Sequence, residues 1–317
     1  SEYTITDVEF LNDLEKISST LTRWQNQNSN AFQLSAVTLS EVHCKPSLSS
    51  LNLFGSHLFA SIIAKLTDKV ILTSGTISDI SINGGFDDFK RSLGFKKIEI
   101  DFQCSLAPQN YSDLKFVLCG SGIPHPINDR TKTNYETTFN ADWMNNTVKM
   151  LNKAKELGEK VLVLTVSHKE SIELAEELGN TPDLAVHHAG NTLSELAKSF
   201  AKSNSKQQVL ITSAGWEGLN LRNSDGDQLI HHLFITRIPF APPQELQEFL
   251  VKEFIRINGN TSISNEVKLN WFNMLKKTIP KFRQGIGRST RGPKDVVTIW
   301  IADSRMPHTR KDILSPL

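Results

Sequence analysis

Apolar residues follow two different spacings along this chain, and the spacings alternate most regularly in its second half. The run Val161-Leu162-Val163-Leu164 is typical of a strand that is buried on both faces of a parallel sheet. Helical spacing recurs over 140–157 and 169–178, and a capping box joins Thr192 to Glu195 at the start of another helix. Further strands are predicted over 208–212, 228–236 and 295–302, with a helical region over 244–278. This alternation predicts an α/β fold, a parallel sheet with helices on both faces and right-handed crossovers.

The first hundred residues carry a looser version of the same alternation. Predicted helices cover 8–29, 56–66 and 87–93, and predicted strands cover 31–39, 69–73 and 97–102. A proline-containing connection with Pro108, Pro124 and Pro126 follows and is predicted to be irregular. We therefore expect two domains, residues 1–100 and residues 101–317, with the more complete sheet in the second.

Charge and cysteine content narrow the possible functions. Lys and Arg number 35 against 34 Asp and Glu in 317 residues, a net charge of +1, which excludes binding of nucleic acid by bulk positive charge. The three cysteines, Cys44, Cys104 and Cys119, have no CxxC spacing, so we expect a reducing compartment and no cysteine-built metal site. No apolar run approaches the roughly 18 residues of a membrane span, and no signal peptide is visible, so a soluble protein is expected. The initial Ser1 indicates processing or a fragment.

The segment Gln284-Gly285-Ile286-Gly287-Arg288-Ser289-Thr290-Arg291 is the most informative one. Two arginines three residues apart lie on one face if the segment is helical. Guanidinium groups suit phosphate oxygens, and an arginine presented from a second domain can stabilise a transferring phosphoryl group. The alternative is a surface helix with two solvated arginines.

Two further segments end a predicted strand in glycine and hydroxyl residues. One runs from Leu210 to Leu221 and the other from Val70 to Ile77. Ligands of α/β sheets bind beyond the carboxyl ends of the strands, where glycines allow close approach and free N–H groups hold anions. The alternatives are an ordinary loop with Trp216 as a packing residue, and a turn that caps a helix.

These segments occur in a recognisable order. Thr73–Ile77 resembles a TSATL motif, Val161–Ser167 a strand that ends in Thr and Ser, Trp216-Glu217-Gly218 a WEG motif, and Gln284–Arg291 a QxxGRxxR motif. In that order the chain resembles the C-terminal part of a superfamily 2 DNA helicase of the DinG/XPD type. Softer matches lie at Pro46–Leu51 and Arg237–Pro243. The resemblance implies a RecA-like second helicase lobe, preceded by the remnant of the first lobe and its arch-like insertion.

The resemblance also implies roles for individual residues. Three residues would face a nucleotide held by the first lobe, with the last as the finger on the γ-phosphate: Gln284, Arg288 and Arg291. The cleft between the lobes would include Glu217, Gly218 and Asn220. The backbone of single-stranded DNA would be held at Thr165, Ser167, Thr212 and Ser213. Hydrolysis would be coupled to strand movement at Ser74, Gly75 and Thr76.

The chain departs from the family pattern in several places. The family commonly has Asp at the position of Asn220 and Ala at that of Gly75. The sequence contains neither the GxxxxGK motif followed by Ser or Thr nor a DEAH-like box, on which phosphate binding, Mg²⁺ binding and water activation depend. We therefore expect ATP and Mg²⁺ to be bound mainly by the absent part of the first lobe, and this chain alone to be inactive. The iron–sulfur site of many relatives would also lie upstream, outside this chain.

The expected partners are single-stranded DNA and the missing first lobe, in the same or a separate polypeptide, with no membrane. The protein would be cytoplasmic and associated with bacterial DNA, or alternatively nuclear, and would move 5′ to 3′ as the family does. A different class remains open: a stand-alone nucleic-acid- or partner-binding module that keeps the lobe without the motor. The pairs His187-His188 and His231-His232 do not suggest a metal site, because adjacent side chains on a strand point to opposite faces.

Overall fold

The computed structural model describes most of the second half of the chain and parts of the first. The described residues are 14–15, 18, 33–39, 46–52, 62–63, 65–67, 69–73, 86, 89–90, 93, 104, 113–120, 122–128, 138–188, 190–202, 208–222, 226–240, 249, 252, 256, 263–290 and 292–306. The chain divides into two compact units. The first comprises Ser1–Cys104 and Pro242–Phe272, and the second comprises Ser105–Ala241 and Asn273–Leu317.

An antiparallel strand pair is the principal element described in the first unit. Strand β1 (Gln33–Leu39) pairs with β2 (Pro46–Asn52), with Val37 opposite Leu48. Strand β1 was predicted, whereas β2 was not, because its serine-rich sequence has only two leucines to indicate a strand. Helical residues occur inside all three predicted helices of this region, at 14–15 and 18, 62–66 and 89–93 where described.

The predicted strand over 69–73 is wrong. These residues are described and form no strand. The side chain of Ile71 is 89% exposed, and Val70 and Leu72 are also exposed, so the apolar run has no sheet neighbour among the described residues to pair with. The predicted strand over 97–102 lies outside the described residues.

The second unit contains a six-stranded parallel sheet. Its strands are β3 (Asp113–Leu118), β4 (Val161–Leu164), β5 (Leu184–Val186), β6 (Val209–Thr212), β7 (His232–Ile235) and β8 (Val296–Ile301). The spatial order is β3-β8-β7-β4-β6-β5, and every neighbouring pair is parallel. The helices are α1 (Ala141–Glu156), α2 (His168–Glu177), α3 (Leu193–Lys202) and α4 (Ile263–Ile286), the last of which enters this unit at Asn273. The predicted α/β fold with a parallel sheet is confirmed.

Alternate residues of the buried strands supply two cores, one on each face of the sheet. Val161 and Val163 of β4 pack with residues of α1 and α2, including Trp143 and Leu174. Leu162 and Leu164 pack on the opposite face with Phe200 of α3 and with Phe282 and Ile286 of α4. Side chains alternate across a strand, so a continuous apolar run is buried only where helices cover both faces.

Several element boundaries differ from the predictions. Strand β3 lies inside the connection predicted to be irregular. It is an edge strand whose Phe116 and Leu118 are exposed, so its apolar residues do not mark one buried face. Helix α4 continues through Pro280 to Ile286, beyond the predicted end at 278. Arg288 follows this helix in a turn, and its backbone N–H donates to the carbonyl of Gly285. The expectation that Arg288 and Arg291 share a helix face is therefore wrong for Arg288, and Arg291 lies outside the described residues.

None of the helices in the described part of the chain is long and apolar enough to cross a membrane.

Candidate functional site

The candidate site lies at the carboxyl edge of the sheet in the second unit. The segments that follow β4, β6, β7 and β8 meet there, as the parallel arrangement requires. Strand β4 lies between β6 and β7, so its continuation contacts both neighbours: Thr165 N–H donates to the Thr212 carbonyl at 3.0 Å, and Thr236 N–H donates to the Leu164 carbonyl at 3.2 Å. The structure thus brings together the predicted strand-binding segments 165–167 and 212–213.

Internal hydrogen bonds hold the turn after β4. The Thr165 hydroxyl is fully buried and lies 2.6 Å from the Ser171 hydroxyl. The Ser167 side chain caps α2 by accepting from Glu170 N–H at 3.2 Å, which satisfies one free amide of the first helical turn. Ser167 is half-buried, so part of its surface remains at this edge.

The turn after β6 is built in a similar way. The Thr212 hydroxyl is fully buried, accepts from Ala214 N–H at 3.1 Å and lies 3.1 Å from His187 Nδ1. Ser213 beside it is half-buried. Of the four residues predicted to hold DNA, Thr165 and Thr212 therefore have hydroxyls that a DNA phosphate does not reach in this structure, while Ser167 and Ser213 lie at the surface of the edge.

The WEG segment follows as a loop with one buried and two exposed members. Trp216 is 2% exposed, whereas Glu217, Gly218 and Asn220 are exposed. Gly218 adopts φ +71°, a left-handed conformation that residues with a side chain rarely tolerate. Gly215 leaves no room for a side chain, because a Cβ there would lie 2.7 Å from Thr212 Cγ2. The loop is thus bent sharply so that its polar part faces outward.

The end of α4 packs against this loop. A Cβ on Gly285 would lie 2.5 Å from Cε3 of Trp216, so the helix backbone itself contacts the indole ring. Arg288 Nε donates to the Trp216 carbonyl at 3.1 Å, and Arg288 Nη1 donates to the Leu219 carbonyl at 3.2 Å. Gln284 is half-buried on the last turn of α4. The structure therefore joins the WEG and QxxGR segments, which are far apart in sequence, at one place.

Arg291, Ser74, Gly75 and Thr76 lie outside the described residues. Their predicted roles as the γ-phosphate finger and as coupling residues stay predictions.

A buried ion pair ties together two of the edge segments and was not found from the sequence. Glu170 is fully buried, and its Oε2 accepts from Val166 N–H at 3.0 Å and from Arg237 Nε at 2.7 Å, while its Oε1 accepts from the Thr236 hydroxyl. The Arg237 guanidinium also lies over the Phe139 ring, 5.3 Å from its centroid. The spacing Ser167-x-x-Glu170 is a capping-box pattern that could have drawn attention to this glutamate. Its side chain bonds to Val166 instead of to the Ser167 amide that the pattern predicts.

A second carboxylate joins the segments after β7 and β8. Asp303 is 1% exposed and accepts from Ile238 N–H at 2.7 Å. Its carboxylate also accepts from Arg305 Nε at 2.9 Å and from Arg305 Nη2 at 2.7 Å, which makes a bidentate ion pair. Arg305 lies over the Phe240 ring at 4.9 Å from its centroid. At this end of the edge, both carboxylate oxygens of Asp303 thus already accept hydrogen bonds from the protein.

Two histidines of this unit, His187 and His232, have lowered pKa values, mainly because they are buried. Burial lowers the pKa of His187, and the neighbouring His168 and His188 lower it further. The rings of His168 and His187 meet edge to face with centroids 5.0 Å apart. At the amino edge, burial also lowers the pKa of His232, partly offset by Glu159, whose Oε2 lies 3.3 Å from Nε2. Among the described residues, no three His, Cys, Asp or Glu side chains are grouped to hold a metal ion.

The fold and the joined motifs define a helicase domain. The family model described as Helicase C-terminal domain matches residues 149–315, more than half of the chain, and the chain belongs to this family. The order of its motifs and its similarity to DinG and XPD proteins confirm the DinG/XPD type and the RecA-like fold.

Individual relatives agree with this membership. The chain is 27% identical over 247 residues to the 3'-5' exonuclease DinG of Bacillus subtilis (strain 168), which covers 75% of this chain and 24% of that protein. It resembles the solved structure of an XPD helicase with a TM-score of 0.53 at 18% identity, covering 95% of this chain and 52% of that one. It resembles a structure of apo XPD with a TM-score of 0.50 at 17% identity, covering 98% of this chain and 61% of that one. The chain thus spans about a quarter of the curated relative, and the structural likeness shows the fold alone.

Proposed function

We propose that this chain is the C-terminal portion of an ATP-dependent DNA helicase that moves 5′ to 3′ on single-stranded DNA and supplies arginine to ATP bound by the first lobe. The observation that carries the proposal is the junction of the WEG and QxxGR segments, where Arg288 donates to the carbonyls of Trp216 and Leu219. Family membership supports ATP-dependent helicase activity in general. Hydrolysis of ATP supplies the free energy for stepping along the strand.

On the nucleotide side, the residues present divide into those that hold the loop and those that face the ligand. Two nitrogens of Arg288 donate to loop carbonyls, so we assign Arg288 the positioning of the exposed segment 217–220. Arg291 then remains the residue assigned to the γ-phosphate, and Gln284 is assigned to the same nucleotide. Glu217, Gly218 and Asn220 are exposed, as residues of a cleft between lobes need to be. ATP and Mg²⁺ would be bound mainly by residues that this chain does not contain.

On the DNA side, the buried residues are distinguished from the residues that can contact the strand. We assign Ser167 and Ser213, together with nearby backbone N–H groups, to the phosphates of the strand. Thr165 and Thr212 support these residues through their buried hydroxyl bonds. Ser74, Gly75 and Thr76 keep their proposed role in coupling. Phosphate contacts of this kind carry no sequence information, and affinity falls with salt as counterions are released.

The nucleotide side is tested by Arg291→Ala in a complete chain that also carries the first lobe. Removal of an arginine finger lowers turnover by about 10³ to 10⁵. Arg283→Ala is the matched control, because Arg283 is an exposed arginine near the end of α4 and its removal should leave turnover unchanged. ATP turnover with and without single-stranded DNA is the measurement. Near-normal turnover in Arg291→Ala would contradict the assignment.

The DNA side is tested by fluorescence anisotropy of this chain with single strands of different sequence. We expect weak, sequence-independent binding that falls steeply with salt, because few phosphate contacts remain and the net charge is +1. Ser213→Ala should weaken binding to all sequences alike. Sequence-specific, salt-insensitive binding would rule out backbone contact. DNA binding by a complete chain that shows no DNA-stimulated ATPase would favour the alternative, a binding module without a motor.

A further inference from the structure

Trp216 is the residue at which the separate parts of the candidate site meet. It lies in the loop after β6, its indole N–H donates to the Thr165 carbonyl after β4 at 2.7 Å, and its own carbonyl accepts from Arg288 after α4 at 3.1 Å. Only 2% of its surface is exposed. One side chain and its backbone thus contact the proposed DNA side and the proposed nucleotide side together.

The link towards the DNA side is short. Thr165, which accepts the indole N–H, is followed by Val166, whose N–H donates to Glu170, and by Ser167, which caps α2. The Thr165 side chain is itself bonded to Ser171 of the same helix. A displacement of the Trp216 ring therefore either breaks a buried hydrogen bond or moves the turn that carries Ser167.

The link towards the nucleotide side leaves no free space. Gly285 presents its bare backbone to the indole ring, since a Cβ there would lie 2.5 Å from Cε3 and 2.7 Å from Cζ3. Lys281, one turn earlier on α4, places its ammonium 5.9 Å from the centroid of the ring. A shift of the end of α4 is consequently passed to the ring, because protein interiors are close-packed and poorly compressible.

We propose that Trp216 is a positioning residue that couples the two sides: movement of the arginine-bearing end of α4 is transmitted through the indole to the strand-binding turn at 165–167. The proposal rests on the proposed function, because it needs a nucleotide on one side and a strand on the other. Trp216 is buried, and we assign it no direct contact with either ligand. It acts through Arg288 and Thr165, each of which it bonds directly.

The competing explanation is that Trp216 only fills the core, and the chain offers a matched control for it. Trp143 is fully buried in the same unit, and its indole N–H also donates to a backbone carbonyl, that of Ala302, at 2.8 Å. It belongs to α1 and packs on the opposite face of the sheet from Trp216. Its indole hydrogen bond does not connect α4 with the turn after β4. Replacing either tryptophan by phenylalanine removes the same type of bond and leaves the same type of buried carbonyl.

The experiment compares Trp216→Phe with Trp143→Phe in the complete helicase chain. The measurements are the ratio of DNA-stimulated to basal ATPase and the melting temperature. We expect Trp216→Phe to lower the ratio about tenfold, within the usual range of coupling between sites. Trp143→Phe should lower the melting temperature similarly and leave the ratio unchanged. Equal losses of the ratio in both variants, or no loss in Trp216→Phe, would overturn the proposal.

A second variant keeps the test decisive if Trp216→Phe does not fold. Gly285→Ala retains the indole and displaces it, whereas Gly120→Ala, the control, places its Cβ where no heavy atom lies within 4 Å. We expect only Gly285→Ala to lower the ratio, and an unchanged ratio there would also overturn the coupling role. If the unaltered complete chain shows no DNA stimulation, the proposed function itself fails, and the coupling role fails with it.

Discussion

Glu170→Gln isolates the charge of the buried pair at the carboxyl edge. The replacement has nearly the same shape, and a glutamine carbonyl in the place of Oε2 still accepts from Val166 N–H and Arg237 Nε. Its amide group would face the Thr236 hydroxyl, which can still donate to the Leu164 carbonyl at 3.2 Å. Every hydrogen bond can therefore re-form, and what is lost is the negative charge opposite the guanidinium.

The expected cost follows from burial. Glu170 is fully buried and the Arg237 side chain is 10% exposed, so the remaining positive charge has little access to water. Breaking one side of a buried pair typically costs about 3–5 kcal/mol. Since the hydrogen bonds persist in weaker, neutral form, we expect the lower end, a loss of about 3 kcal/mol in the free energy of unfolding.

Urea unfolding of this chain measures that loss, provided that the slope with denaturant is the same in both proteins. Glu173→Gln on the same helix is the control, because Glu173 pairs with Lys169 at 3.6 Å and both side chains are at least a third exposed. An exposed pair of this type is worth about 0.5 kcal/mol or less. A loss below about 1 kcal/mol for Glu170→Gln, or one no larger than in the control, would refute the view that this charge pair stabilises the edge.

Two further predictions concern the turn after β6. Gly215→Ala should destabilise the protein by about 1–3 kcal/mol, since its Cβ would lie 2.7 Å from Thr212 Cγ2 and 2.9 Å from Leu164 Cδ2. Thermal melting measures this loss, and Gly120→Ala is the control, because a Cβ there has nothing within 4 Å. Equal melting temperatures of the two variants would contradict the close contact at Gly215. The lowered pKa of His187 means that the unfolded state binds this proton more readily, so the free energy of unfolding should fall as pH drops below about 6.5, the ordinary pKa of histidine. His187→Asn should reduce that fall between about pH 7.5 and pH 5.5 in urea titrations, and identical pH profiles would show that His187 does not contribute.

Sequence pattern predicted the central part of the second unit well. Strands β4 and β6 and helices α1 and α2 lie within one residue of their predicted bounds, because both faces of the strands are buried and the helices begin at clear caps such as Asn140 and Ser167. Strand β3 was missed because it lies at the edge of the sheet, where its apolar Phe116 and Leu118 are exposed and do not follow a buried pattern. Residues 69–73 were predicted as a strand and form no strand, because strand formation requires a neighbouring strand to pair with and not only an apolar run.

The sequence by itself determined the α/β class, the order of the motifs and the residues that belong to them. Tertiary structure alone decided which of these residues reach the surface: Thr165 and Thr212 are inside, and Ser167 and Ser213 are at the edge. It alone also joined Glu170 to Arg237 and Trp216 to Thr165. The physical reason is that periodicity and capping act between residues a few positions apart, whereas burial and these hydrogen bonds join residues 67 and 51 positions apart.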